Sequence, residues 1–217
     1  MGAMPRVSAK ICGLSTPETL DAAIAGGASH VGFVFFPKSP RNVSPEQAGA
    51  LARRANGQVK LVGLFVDPDP GFVDLVRREA ALDVIQLHGS ESPALTGQLR
   101  TQHGLDVWKA VPVKTSADLA AARSYTGAAS MILYDAKPPP GAELPGGTGL
   151  RFDWKLLESH RHPLPWALSG GLDAQNVADA VGITGASLVD VSSGIESAPG
   201  IKDVDKIAAF LQAVSRL

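Results

Sequence analysis

Cysteine is almost missing from this chain of 217 residues: Cys12 is the only one. A single thiol excludes a disulfide within the chain and a metal site built on several thiolates, which leaves a packed small side chain or a reactive group. An excess of charge is missing too, with 20 Lys and Arg against 21 Asp and Glu and a formal net charge of -1. No basic run stands out, so neither nucleic acid nor an anionic membrane surface is an expected partner, and a small molecule is. No stretch approaches the roughly twenty apolar residues of a membrane span. The start, Met1 to Pro5, lacks the apolar core of a secretory signal, and with one unpaired thiol a cytoplasmic location is expected. Residues 1–5 are expected to be a tail, partly of cloning origin, before one domain over 6–217.

What is abundant is alternation. Short runs rich in Val, Ile, Leu and Phe alternate with Ala-rich segments of helical period, with Gly, Pro, Asp or Ser at nearly every junction. The spacing predicts strands at 7–12, 30–35, 60–66, 84–88, 107–112, 130–135, 165–169 and 188–191. Between them it predicts helices at 17–25, 45–54, 71–80, 93–101, 116–123, 153–158, 174–180 and 203–215. Proline in the first turn after Ser or Thr, as at Pro17 and Pro45, is a helix start signal. About eight βα units in one domain predict an α/β fold, a single-domain (β/α)8 TIM barrel, whose chemistry lies on the loops after the strands. One long loop, 136–151, holds Pro138 to Pro140 and Gly146-Gly147-Thr148-Gly149, and a loop of that length in a compact domain is usually functional.

Residues that end strands are therefore the candidates. Cys12 closes the first strand and Asp135 the sixth, so a barrel turns both into one mouth, as an acid and a base that flank a substrate would be. Gly170 and Gly171 follow the seventh strand, and Ser192, Ser193 and Gly194 follow the eighth. These two loops are the recurrent phosphate site of the fold, which predicts a phosphorylated ligand. Arg41, in a loop stiffened by Pro37 and Pro40, offers a guanidinium fork for a carboxylate or stands as a solvated surface charge. Lys10 either adds charge near the mouth or lies in the barrel interior. His88 ends the fourth strand, with a positional role favoured over a bond to neighbouring backbone. His160 and His162 read as loop residues, and no His, Asp and Glu set has metal spacing.

Lys10-Ile11-Cys12-Gly13, Gly32-Phe33-Val34-Phe35 leading to Ser39-Pro40-Arg41, Gln86-Leu87-His88-Gly89, Tyr134-Asp135 and Gly146-Gly147-Thr148-Gly149 stand in order along the chain. Ser169-Gly170-Gly171-Leu172, Asp190-Val191-Ser192-Ser193-Gly194-Ile195-Glu196 and Pro199-Gly200-Ile201-Lys202-Asp203 complete the set. Together they resemble the phosphoribosylanthranilate isomerase family of tryptophan biosynthesis over almost the whole chain. The resemblance implies an Amadori rearrangement of N-(5-phosphoribosyl)anthranilate to 1-(2-carboxyphenylamino)-1-deoxyribulose 5-phosphate, without a cofactor and without a fused indole-glycerol-phosphate synthase barrel. It implies Asp135 as general acid, Cys12 as general base and Arg41 at the anthranilate carboxylate. It groups Lys10, His88, Gly170, Gly171, Asp190, Ser192, Ser193 and Gly194 with substrate binding. An unperturbed thiol near 8.5 is mostly protonated and an aspartate near 3.9 mostly ionised at neutral pH, so both roles need help from their surroundings, with Lys10 a candidate beside Cys12. The alternatives are another phosphosugar barrel enzyme, with no need of an aromatic carboxylate clamp, and a catalytically inert barrel that senses a phosphorylated metabolite.

Overall fold

A computed structural model describes residues 6–217, and the expected tail at 1–5 lies outside them. Eight parallel strands close into a barrel: β1 (Ser8–Cys12), β2 (His30–Phe35), β3 (Lys60–Phe65), β4 (Val84–Leu87), β5 (Asp106–Val113), β6 (Met131–Ala136), β7 (Trp166–Leu168) and β8 (Leu188–Val191). Each is followed by a helix: α1 (Pro17–Ala25), α2 (Pro45–Ala55), α3 (Pro70–Ala80), α4 (Pro93–His103), α5 (Ser116–Leu119), α6 (Lys155–Glu158), α7 (Val177–Thr184) and α8 (Val204–Val214). The proline signal holds four times, because Thr16, Ser44, Asp69 and Ser92 each cap a helix whose first residue is proline. That proline gives up an N–H which would have no partner there in any case.

Alternation along the strands separates two cores. Ile11, Val31, Phe33, Ile85, Ile132 and Val189 pack with the helix faces, while Val62, Val84, Trp108, Leu133, Ala167 and Leu188 fill the lower barrel interior. Above that apolar plug the inward positions turn polar. Lys10 is fully buried there and donates to Asp190 at 2.8 Å, and Ser169 donates to the other Asp190 oxygen at 3.0 Å. Lys10 and Asp190 are register partners on β1 and β8, so their ion pair spans the seam where the first strand meets the last. The interior reading of Lys10 is the one that holds. A glycine on β2 makes room for it: a Cβ at Gly32 would lie 3.0 Å from both Lys10 Nζ and Cys12 Sγ.

Several boundaries differ from the sequence reading. Ala136 closes β6, which makes Asp135 the last inward position rather than the strand end, and His88 lies just beyond β4. The predicted fifth helix is one α-turn followed by a 3₁₀ segment, Ala120–Tyr125. The seventh begins three residues later than expected, at Val177, because the Asp173 carboxylate binds the amides of Gln175 and Asn176 and holds 173–176 as a turn. A hairpin of β9 (Glu196–Ala198) and β10 (Ile201–Lys202) after β8 was not anticipated, being too short to show a period. His160 and His162 are loop residues, packed against Tyr134, with His162 stacked on Trp166 at 4.2 Å. Among the described residues no helix is long and apolar enough to cross a membrane.

The buried seam pair generates a stability prediction. Lys10→Met, which strands the Asp190 carboxylate, should cost about 3–5 kcal/mol in urea unfolding, whereas Lys10→Met with Asp190→Leu should recover most of the loss. A Lys10→Met protein as stable as the parent would show that the pair does not hold the seam.

Candidate active site

The strands end in an open pocket at the carboxyl mouth of the barrel. Cys12, Arg41, His88, Asp135, Asp190, Ser192 and Ser193 line it, with Gly170 and Gly171 on one wall and residues 144–150 of the long loop above. Gly194 does not line the pocket; its Cα abuts the Leu172 carbonyl, where a side chain has no room. Residues 137–154 contain no helix or strand, as the sequence predicted for most of that span.

Cys12 sits on the Lys10–Asp190 pair. Burial pushes the thiol above its ordinary value, Lys10 pulls it down, Asp190 pushes it up again and Lys202 pulls it down, with burial prevailing. Burial also works against the charge on Lys10, but the adjacent Asp190 carboxylate overrides it and Lys10 holds its proton more firmly than a lysine in water. A cation permanently beside a buried thiol is the setting in which a thiolate can form without bulk water.

Across the mouth, Asp135 is held by two hydrogen-bond partners. The Ala136 amide donates to Oδ1 at 2.8 Å, and His88 Nε2 lies 3.0 Å from Oδ2. Behind the imidazole, Gln86 Nε2 is 3.1 Å from His88 Nδ1, and Gln86 is itself wholly buried. Gly146 of the long loop covers this pair so closely that a Cβ there would lie 2.5 Å from His88 Nε2 and 2.6 Å from Asp135 Oδ2.

Arg41 is not a solvated charge, since only 6% of it is exposed. Its Nε and one terminal nitrogen donate to the two oxygens of Glu196 at 2.7 and 2.9 Å, and the same terminal nitrogen donates to the Gly147 carbonyl at 3.0 Å. The other terminal nitrogen has no protein acceptor among the described residues and is the end left for a ligand. Lys202 binds Glu196 at 2.8 Å and also the Ser192 carbonyl and hydroxyl at 2.8 and 3.1 Å. Burial pushes Glu196 up, but Arg41 and Lys202 override it and keep the carboxyl below its ordinary value. Sequence reasoning attached no role to Glu196, Lys202, Gln86 or Ser169, although all four stand inside the motif segments; what it lacked was the hairpin that brings Glu196 and Lys202 back over the mouth.

The loops after the neighbouring strands β7 and β8 both line this pocket. Gly170 and Gly171 both take left-handed backbone, at φ +94° and +64°. Among the described residues the amides of Gly170, Gly171 and Leu172 find no protein acceptor, so they are available to an anion. No group of three or more His, Cys, Asp and Glu among the described residues could hold a metal ion.

A family model described as N-(5'phosphoribosyl)anthranilate (PRA) isomerase matches residues 9–213. The chain belongs to this family. It is 53% identical over 207 residues to the N-(5'-phosphoribosyl)anthranilate isomerase of Paramagnetospirillum magneticum, covering 95% of this chain and 96% of the relative. The isomerase of Zymomonas mobilis subsp. pomaceae is 55% identical over 212 residues, covering 97% and 99%. Among solved structures, the Thermotoga maritima isomerase superposes with a TM-score of 0.87 at 37% identity, over 97% of this chain and 100% of that one. A phosphoribosyl anthranilate isomerase in complex with reduced 1-(o-carboxyphenylamino)-1-deoxyribulose 5-phosphate gives 0.84 at 35%, with the same coverage. A 3-hexulose-6-phosphate synthase, at 12% identity and a TM-score of 0.66 over 95% of this chain and 99% of that one, shares the fold alone. The chain is thus an aldose–ketose isomerase of tryptophan biosynthesis, acting on N-(5'-phosphoribosyl)anthranilate.

The charges around Cys12 make a prediction with opposite signs. Asp190→Asn should let the lone thiol ionise at lower pH, and Lys202→Met should delay it to higher pH, in an ultraviolet titration of thiolate absorbance. Displacement of both variants in the same direction would show that packing, not charge, governs the thiol.

Proposed function

We propose that Asp135 is the general acid and Cys12 the general base of this isomerisation, on a substrate whose phosphate rests on the loops after β7 and β8 and whose anthranilate carboxylate meets Arg41. One observation carries the reading: Cys12 and Asp135, three strands apart around the ring, both open on a single pocket. The unpartnered amides of Gly170, Gly171 and Leu172 support the phosphate end, with Ser192 and Ser193 on the neighbouring loop. The partnerless nitrogen of Arg41, held still by Glu196, supports the carboxylate end, which another phosphosugar isomerase would not need. The protein works in the cytoplasm, where its single thiol stays reduced.

Asp135 gives its proton to the furanose ring oxygen. The bond from that oxygen to C1′ breaks, and the nitrogen lone pair forms the double bond of an open Schiff base. Thiolate at Cys12 then takes the C2′ proton, the electron pair left behind forms the C1′–C2′ double bond, and the imine electrons return to nitrogen. The resulting enolamine gains a proton at C1′ and loses its enol proton to become the ketone. Each turnover leaves Asp135 ionised and Cys12 protonated, so both groups must be reset through the substrate or solvent.

Lys10 favours the thiolate by charge, and the Ala136 amide and His88 stabilise the carboxylate that Asp135 becomes. The loop over residues 137–154 acts as the cover, tied down at Arg41 through the Gly147 carbonyl, and it keeps water from the Schiff base. Cys12→Ala and Asp135→Asn should each lower kcat by about 10²–10⁴-fold with the fold retained, followed as the decay of substrate fluorescence. Near-normal turnover in either variant would remove that residue from the mechanism.

A further inference from the structure

Gln86 is buried beneath the acid, and its Oε1 has no hydrogen-bond partner. An amide nitrogen can only donate, so in this orientation His88 Nδ1 accepts from Gln86 and the ring proton sits on Nε2. Nε2–H then donates to Asp135 Oδ2, which suits an ionised Asp135, the state left after the proton has been given away. Half a turn of the amide exchanges its oxygen and nitrogen with no change of shape. Oε1 would then accept from Nδ1–H, leaving Nε2 bare to accept from a protonated Asp135, the state that starts the reaction. Each orientation leaves one amide atom without a partner, and the one that gives Nδ1–H an oxygen acceptor is the one that holds the proton on Asp135.

We infer that Gln86 is a positioning residue that, through the tautomer of His88, sets whether Asp135 carries the catalytic proton. The inference rests on the acid role proposed for Asp135. Other charged groups on the adjoining elements are committed elsewhere. Lys109 on β5 pairs with Glu91 at 3.0 Å, and Asp67, after β3, accepts from the Ser90 amide at 2.7 Å. Lys10 pairs with Asp190 and Arg41 with Glu196, and Cys12 faces the pocket from the opposite wall. Among the described residues the amide is the one hydrogen-bond partner of His88 Nδ1, and so the group through which the ring proton can be directed.

The test is the pH profile of kcat/KM for Gln86→Met and Gln86→Glu, read at the limb that Asp190→Asn leaves in place. Met has a similar length and no polar group, so Nδ1–H loses its acceptor and that limb should move to lower pH by about one unit, the size of one hydrogen bond between neutral groups. Glu offers a stronger acceptor, so the limb should move to higher pH and part of the lost activity should return. Thermal unfolding on the same variants reads any purely structural cost, which would lower both rates with the limb unmoved. A limb that stays put in both variants, or moves the same way in both, overturns the relay even if Asp135→Asn abolishes turnover. Normal turnover in Asp135→Asn overturns the acid role, and the relay with it.

Discussion

The Lys10–Asp190 ion pair is the constraint on which the rest of the site depends. It joins the first and last strands at register-paired positions, so closing the barrel and placing a fixed cation beneath Cys12 are one event. A buried pair of this kind contributes little net stability, because desolvation offsets much of the attraction, yet breaking it leaves a charge with nowhere to go. An apolar pair would close the seam equally well. It would leave the thiol in an apolar well, where burial alone pushes ionisation up.

The two sides of the pocket solve opposite problems with different means. On the proposed mechanism Cys12 must lose a proton in a dry place, and charge is supplied by Lys10 and Lys202. On the same mechanism Asp135 must first hold a proton and then do without it, and its hydrogen bonds run through His88 to Gln86. Arg41 is fixed by Glu196 rather than left mobile, so its guanidinium is already in position for the carboxylate of the proposed reading. The glycine at 146 lets the covering loop come down onto the acid pair, and any side chain there would hold it away.

Most of the barrel was legible because parallel strands buried on both faces leave continuous apolar runs, and Ser-Pro or Thr-Pro pairs mark helix starts. That Cys12 and Asp135 share one mouth was legible from the apolar runs that each closes or nearly closes. Lys10 was ambiguous because a lysine inside a barrel contradicts its solvation preference, and only its anionic partner on β8, 180 residues away, resolves it. Glu196 and Lys202 stood inside motif segments but their pairing with Arg41 and Ser192 was not readable, since it comes through a hairpin of three- and two-residue strands with no period of its own. Gln86 lay in plain view within Gln86-Leu87-His88-Gly89, but its meaning resides in an unpartnered oxygen, which has no trace in a sequence.

On the proposed mechanism Cys12 acts as a base through its thiolate. Because it is the only cysteine, its ionisation can be followed by ultraviolet absorbance in the intact enzyme and set against the pH profile of kcat/KM on the same preparation. The account predicts that one limb of that profile has its midpoint where the Cys12 thiol titrates. A thiol that ionises at a pH where the profile shows no inflection would contradict it.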